Sequence, residues 1–395
     1  MDLKFTAEEE AFRAEVRAFI DAELPAQTRA HMASGRTPTR DMTVEWQQKL
    51  NARGWAVPHW PVEWGGQPWS AIKRFILNDE MQQAPAPPPL GFNVTMCGPV
   101  LIAFGTPAQK KRFLPRMANL DDWWAQGFSE PGAGSDLASL KTRAVRQGDH
   151  YVVNGQKTWT TSAQYANWIF LLARTDPDNP KQQEGISFLL VDMTTPGITV
   201  RPIVTIDGGR EVNEVFFDDV RVPAENLVGT EHRGWDCAKF LLSNERTGQA
   251  RVGASKERLR RLKALARETP AGARRLIDDT RFRVRVADVE AQLKTLEMTT
   301  LRVLADENRQ LKEKKPNPAS SVLKIRGTEI QQAISELYVL AAGPYGLVSA
   351  GNAPDPELDW TSLAQATYFN WRKQSIYGGS NEIQKNIMAK AFLGL

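Results

Sequence analysis

From Thr6 onward the apolar positions recur three and four residues apart. Phe12, Val16, Phe19 and Ile20 fall on one helical face, and Thr6 with Glu9 forms a capping box ahead of them. Thr106-Pro107-Ala108-Gln109 repeats the start signal, with Thr as N-cap, Pro at the first position and Gln at the third. Between these lie "HWPVEWGGQPWS" and the Pro-rich "APAPPPLG", which read as loops, the second of polyproline type. Residues 1–121 are therefore predicted to be an all-helical N-terminal domain.

The period then changes. "HYVVNGQKTWTT" places Asn154-Gly155 between two β-prone runs, a hairpin signal. "WIFLLAR", "GISFLLVDM", "GITVRPI" and "NEVFFDDVRV" follow as short strands punctuated by Gly and Pro. The strands of residues 122–232 fit a small antiparallel barrel or sandwich, and a β-barrel domain is expected. From 233 to 395 the helical period returns. "RFRVRVADVEAQLKTLEMTTLRVLADENRQL" is long and amphipathic, and Asn317-Pro318 starts a further helix that breaks near Gly343-Pro344. The expected fold is mainly α with a β domain, closed by a C-terminal four-helix bundle.

Composition narrows the function classes. The chain has 395 residues, 42% hydrophobic and 24% charged, which suits a soluble protein of two or three domains. Its net charge of +4 is spread out, with no Lys/Arg block that would suit nucleic acid. Cys97 and Cys237 stand far apart, and the four histidines form no i,i+4 pair, so neither a disulfide framework nor a metal site is expected. The opening Met1-Asp2-Leu3-Lys4 runs into charged sequence, and no apolar run is long enough to span a bilayer. The expectation is a cytoplasmic protein without membrane insertion.

Two stretches carry candidate chemistry. In "GFSEPGAGSD", Pro131, Gly132 and Gly134 permit a turn with converging N–H groups, and Ser129 and Ser135 add hydroxyls. Such a loop can hold a phosphate or the polar edge of a ring. Near the end, "SIYGGSNEIQKNI" is a small-residue turn followed by a helix. Neither a G-x-G-x-x-G after a strand nor a G-K-[ST] is present, so dinucleotide-fold and P-loop readings fail.

Taken in order, "FSEPGAGSDLASLKTRA", "YVVNGQKTWTTSAQYANWIFLLAR", "VNEVFFDDVRVPAENLVG" and "IYGGSNEIQKNIMAKAFLG" closely resemble the acyl-CoA dehydrogenase family of flavoproteins across essentially the whole chain. More narrowly, the pattern is similar to large subunits of bacterial pimeloyl-CoA-type dehydrogenases, which act on dicarboxylyl or other bulky CoA esters. The resemblance implies FAD, an acyl-CoA substrate, α,β-dehydrogenation and an electron-transfer flavoprotein or similar acceptor. By the same resemblance Phe128, Ser129, Gly134 and Ser135 form the flavin-facing loop, with Ser135 also toward substrate. Trp159, Thr160 and Thr161 match the segment that packs on the flavin, and Ser380 and Glu382 lie where the last turn nears the cofactor.

The sequence departs from the family pattern in two places. Many members carry a catalytic glutamate directly after the tyrosine of the last turn; here that position is Gly378. A minority place it on a helix before an arginine, which matches Glu245-Arg246. The implied mechanism has Glu245 take the α-proton and Arg246 position Glu245 or favour its charged form, with a role at the substrate. The Gly378 N–H and an FAD ribityl hydroxyl would polarise the thioester carbonyl, and the β-hydride would pass to flavin N5. The second departure lies in the segments that reach a neighbouring subunit's FAD. "ARETPAGARRLIDDTRF" offers no counterpart of the family arginine segment, and in "LAAGPYGL" Leu340 and Pro344 replace a glutamine and a glycine. A hetero-oligomer with a related dehydrogenase subunit is therefore expected, with a homo-oligomer as the alternative. The rival functions are a flavin monooxygenase or oxidase on the same fold, and a non-catalytic assembly subunit.

Overall fold

The computed structural model describes residues 5–248, 250–310, 319–348 and 359–395, without the side chains of 243–248 and 305–310. The helices are α1 (Ala7–Glu23), α2 (Ala26–Ala33), α3 (Arg40–Ala52), α4 (Ala71–Gln83), α5 (Gly98–Phe104), α6 (Pro107–Asn119), α7 (Gly234–Gly248), α8 (Val252–Glu268), α9 (Thr280–Gln310), α10 (Ala319–Ala342), α11 (Asp359–Asn370) and α12 (Asn381–Met388). The strands are β1 (Trp124–Gly127), β2 (Arg143–Gln147), β3 (His150–Thr161), β4 (Trp168–Arg174), β5 (Ile186–Asp192), β6 (Ile198–Ile203), β7 (Val212–Pro223), β8 (Leu227–Val228), β9 (Pro270–Ala271) and β10 (Arg274–Arg275). Helices thus come first and last, with a sheet between. Among the described residues no helix is long and apolar enough to cross a membrane.

Contact in space regroups these elements into two compact units. One holds Met1–Thr39, Trp69–Pro88 and Arg246–Leu395; the other holds Arg40–Pro68 and Pro89–Glu245. The first helical region is therefore shared: α1, α2 and α4 join the C-terminal helices, while α3, α5 and α6 join the sheet.

In the sheet unit the strand order is β6-β7-β3-β2-β4-β5-β8, with β1 added to β4. The expected closed antiparallel barrel is not what forms. β1 and β2 both run parallel to β4, and among the described residues β6 and β8 do not pair with each other. The reason lies in the edges. β8 offers only two residues, and β2 meets β4 through the single pair Arg143↔Arg174. β4 and β5 are buried on both faces, as their unbroken apolar runs require. Ile169, Leu171, Leu189, Val191, Val153 and Val215 form the core between layers.

Asn154-Gly155 is a second correction. β3 runs straight through it, and the chain reverses instead at Gly148-Asp149, between β2 and β3. At Gly155 the register with β7 shifts, and a Cβ there would lie 2.7 Å from the Thr142 Cα. The glycine answers a close backbone approach at a bulge rather than a turn.

In the helical unit, both the capping box of α1 and its buried face of Phe12, Val16 and Ile20 form as the pattern requires. α10 lies at the centre, against α8, α9, α11 and α12. On α9, Phe282, Val286, Val289, Leu293, Leu296 and Val303 repeat at three and four and meet Leu259 and Leu262 of α8 and Leu323, Ile330, Ile334 and Leu337 of α10. Asn317 and Pro318 lie outside the described residues, and after α10 a 3-10 turn spans Gly343–Leu347. A buried charge cluster ties α1 and α4 to α8 and α9. Arg13 and Arg17 hold Glu80 at 2.5 and 2.7 Å, while Lys256 bonds Asp79 at 3.2 Å and Glu297 at 2.6 Å.

Leu262 is fully buried where α8 meets α9 and α10. Leu262→Ala should cost about 2–5 kcal/mol in urea unfolding. Leu340→Ala, at a side chain 45% exposed, should stay within about 0.5 kcal/mol of the parent.

Candidate active site

The sheet unit brings the two glycine- and threonine-bearing segments side by side. Residues 128–136 fold into a tight turn in which Glu130 and Ala133 exchange two backbone bonds of 3.0 Å around Pro131-Gly132. The turn is attached to β3 by the Thr158 N–H, which donates to the Ser129 carbonyl at 2.9 Å. The Lys157 ammonium, fully buried, donates to the Phe128 carbonyl at 3.0 Å and to the Glu130 carboxylate at 2.8 Å. Glu130 also accepts the N–H groups of Lys141 and Thr142 at 2.6 and 2.9 Å. Burial works to raise the Glu130 carboxyl, but Lys157 and these donors outweigh it and hold it below the usual range. Burial pulls the Lys157 ammonium down to about 8, against the pull of Glu130. Neither residue was singled out from the sequence. The available signal was one glutamate and one lysine in the otherwise uncharged runs "FSEPGAGS" and "YVVNGQKTWTT".

What this scaffold presents outward is a set of donors without internal partners. Among the described residues the hydroxyls of Ser129, Ser135 and Thr161 make no hydrogen bond, and Ser135 and Gly134 are exposed. A Cβ at Gly132 or Gly134 would meet nothing within 4 Å, so the turn's outer side is open. Next to it the β3–β7 register shifts between Lys157 and Thr160, and Trp159 takes φ 58°. This left-handed value, at a bulky residue, lifts the indole out of the ladder and leaves it 59% exposed. Phe128 and Thr160 face the other way. Phe128 packs edge-on to Phe170 at 5.8 Å, and the buried Thr160 hydroxyl has no partner among the described residues, beside Asn213, whose amide donates to the Thr160 carbonyl at 3.0 Å. An exposed indole beside free hydroxyls fits a planar ring system with polar edges, as in a flavin.

The helical unit holds the last turn. Gly378 and Gly379 take φ 62° and 78°, a conformation that favours glycine, so a glutamate at 378 would be strained. The Gly378 N–H donates to no backbone carbonyl among the described residues. Ser380 is the N-cap of α12 and accepts the Ile383 N–H at 3.3 Å. Glu382 is exposed in the first turn of α12, where its own N–H and the Ser380 hydroxyl lower its carboxyl. Behind the turn lies a buried polar network that the motif reading also passed over. The Gln384 amide donates toward the Gly379 and Gly378 carbonyls at 3.3 and 3.5 Å, and Ser321 donates to its oxygen at 2.9 Å. Lys324 donates to Asn381 at 3.0 Å. Glu245 and Arg246 fall in the last two turns of α7, but their side chains lie outside the described residues.

Lys157 generates a pH-dependent expectation. Its folded value near 8 lies below the ordinary lysine value of 10.5, so the unfolded chain binds more protons between the two. Its contribution to stability is full above 10.5 and is lost as pH falls through 8. Lys157→Met should destabilise by about 3–5 kcal/mol at neutral pH, since it leaves Glu130 buried without its cation. The deficit relative to the parent should widen on titration from pH 8 to 10.5, read by denaturant midpoints.

Family models match most of the chain: acyl-CoA dehydrogenase N-terminal domain at residues 6–121, middle domain at 125–220 and C-terminal domain at 232–393. Acyl-CoA dehydrogenase IpdE1 of Mycobacterium tuberculosis is 38% identical over 396 residues, covering 98% of this chain and 97% of the relative. Acyl-CoA dehydrogenase FadE26 of the same organism is 34% identical over 401 residues, covering 100% and 99%. Among solved structures, a chain of the ChsE4-ChsE5 complex from Mycobacterium tuberculosis is 32% identical with a TM-score of 0.84, covering 100% of this chain and 99% of its own. A chain of the Tcur3481-Tcur3483 steroid ACAD is 30% identical with a TM-score of 0.86, at the same coverage. The chain therefore belongs to the acyl-CoA dehydrogenase family and is an oxidoreductase of that type.

Proposed function

We propose that this chain is the FAD-holding, base-bearing subunit of a heteromeric acyl-CoA dehydrogenase that introduces an α,β double bond into a bulky acyl-CoA thioester. The observation that carries the reading is the surface of the sheet unit, where Trp159 is exposed beside the unpartnered hydroxyls of Ser129, Ser135 and Thr161. Those groups would hold the flavin. When bound, FAD would accept the β-hydride. In the reading, Glu245 takes the α-proton, Arg246 holds Glu245 in its charged form, and the Gly378 N–H stabilises the developing enolate oxygen. The positive φ at Gly378 supports a base placed elsewhere, because that backbone suits a glycine donor better than a side-chain acid.

The partner is part of the same proposal. The similar structures, the ChsE4-ChsE5 complex and the Tcur3481-Tcur3483 steroid ACAD, each join two differently named proteins. These support a related second subunit and a bulky acyl group here. An electron-transfer flavoprotein or similar acceptor and a cytoplasmic location complete the proposal. So does the three-part division at 121/122 and 232/233, with a C-terminal four-helix bundle. The relatives named acyl-CoA dehydrogenase do not favour an oxygen-using flavoenzyme or a silent assembly subunit.

Glu245→Gln should lower turnover by about 10²–10⁴-fold, typical of a lost general base. FAD released on denaturation should be unchanged. Near-normal turnover in this variant would refute the base assignment. Co-expression with a related subunit should give an α₂β₂ mass and about one FAD per αβ pair, since repeated copies of one surface repeat its deficiencies. A fully active homotetramer with one FAD per chain would overturn the heteromer.

A further inference from the structure

The last turn depends on a side chain that neither the motif nor the family match singles out. Gln384 is buried on α12, one turn after the Ser380 N-cap. Its oxygen accepts the Ser321 hydroxyl of α10 at 2.9 Å, which fixes the amide so that its nitrogen faces the turn. That nitrogen lies 3.3 and 3.5 Å from the Gly379 and Gly378 carbonyls. The contact is close on the carbon side as well: a Cβ on Gly379 would stand 2.7 Å from the Gln384 nitrogen. Gly379 is therefore demanded twice, by its φ of 78° and by this approach.

The consequence for Gly378 is one of direction. A two-glycine turn is the most freely moving piece of backbone a chain can have, and an N–H that must meet a developing oxyanion has to be held before it is needed. The two carbonyls are drawn toward one buried amide, while the Gly378 N–H is left without an acceptor among the described residues. Asn381, held by Lys324 at 3.0 Å, fixes the start of the same helix, so Gln384 cannot follow the turn if it shifts.

We propose that Gln384, oriented by Ser321, is the positioning residue for the Gly378 backbone donor, and that its amide sets how well the thioester enolate is stabilised. The inference rests on the dehydrogenase mechanism proposed above. Its effect belongs to the proton-removal step rather than to substrate capture.

The test uses the FAD-loaded enzyme with its partner subunit and two readouts. One is steady-state kcat and KM. The other is exchange of the α-proton for solvent deuterium in an acyl-CoA that has no β-hydrogen, so that no dehydrogenation can follow. Gln384→Met keeps the volume and removes the amide. It should lower kcat and α-proton exchange together by about 10–100-fold, somewhat less than full loss of an oxyanion donor, with KM changed less than about threefold. Kinetics and exchange within about twofold of the parent in a folded, flavin-loaded Gln384→Met would overturn the proposal, as would a loss confined to KM. A second arm does not depend on that variant alone. Ser321→Ala removes the hydroxyl that orients the amide and should lower exchange by about threefold or more. Adding Ser321→Ala to Gln384→Met should cost less than about twofold further, because the group it orients is gone; fully additive losses would overturn the coupling. An enzyme that shows no α-proton exchange even in the parent refutes the dehydrogenase mechanism itself. Normal parent exchange that ignores Gln384 refutes only this inference.

Discussion

A lysine ammonium with no exposed surface has to be neutralised where it sits, and in this protein it is neutralised by the loop that faces outward. Lys157 meets Glu130 at 2.8 Å and the Phe128 carbonyl at 3.0 Å, and Glu130 in turn gathers two backbone N–H groups from residues 141 and 142. A buried charge stripped of its partner is far costlier than the pair is stabilising. The loop therefore cannot leave β3 without exposing that imbalance. Arg174 adds a second anchor: its guanidinium reaches the carbonyls of Leu140, Ala138 and Gln182. Irregular backbone that would otherwise move is held on both sides by cations, Lys157 buried and Arg174 partly so. That is why its outer face can carry unpartnered hydroxyls and an exposed indole at fixed positions.

The helical unit solves a similar problem with amide and hydroxyl groups and one lysine. The turn at Gly378-Gly379 has little intrinsic rigidity, and beneath it stand Gln384 with Ser321 and Asn381 with Lys324, two bonded and buried pairs. A polar network of this kind is favourable only when its members are satisfied, so it specifies one arrangement of the turn. Both candidate surfaces thus follow one rule. Apart from the Trp159 indole, the groups offered to a ligand come from backbone and small side chains, and the groups that fix them lie buried one layer behind.

Much of the fold was legible in local pattern. The capping boxes at Thr6 and Thr106, the buried runs of β4 and β5 and the repeat on α9 all appear where the period placed them, because each depends on residues within a turn or two of one another. The candidate cofactor residues were legible only through the family motifs. Their spacing alone does not separate Phe128 and Thr160, which point into the core, from Ser129, Trp159 and Thr161 nearby.

The sequence by itself determined the elements, the order of helix, sheet and helix, and the family, since motifs and periodicity are written along the chain. Only the tertiary structure decided that Asn154-Gly155 is a bulge pressed on Thr142, that the sheet stays open, and that α1, α2 and α4 group with the C-terminal helices. It alone also showed that Lys157 and Gln384 hold the two surfaces. These are contacts between residues 27 positions apart for Lys157 and Glu130 and 63 apart for Gln384 and Ser321. Such distant residues meet because packing brings their elements together, and no local period records which buried charge or amide will face which loop.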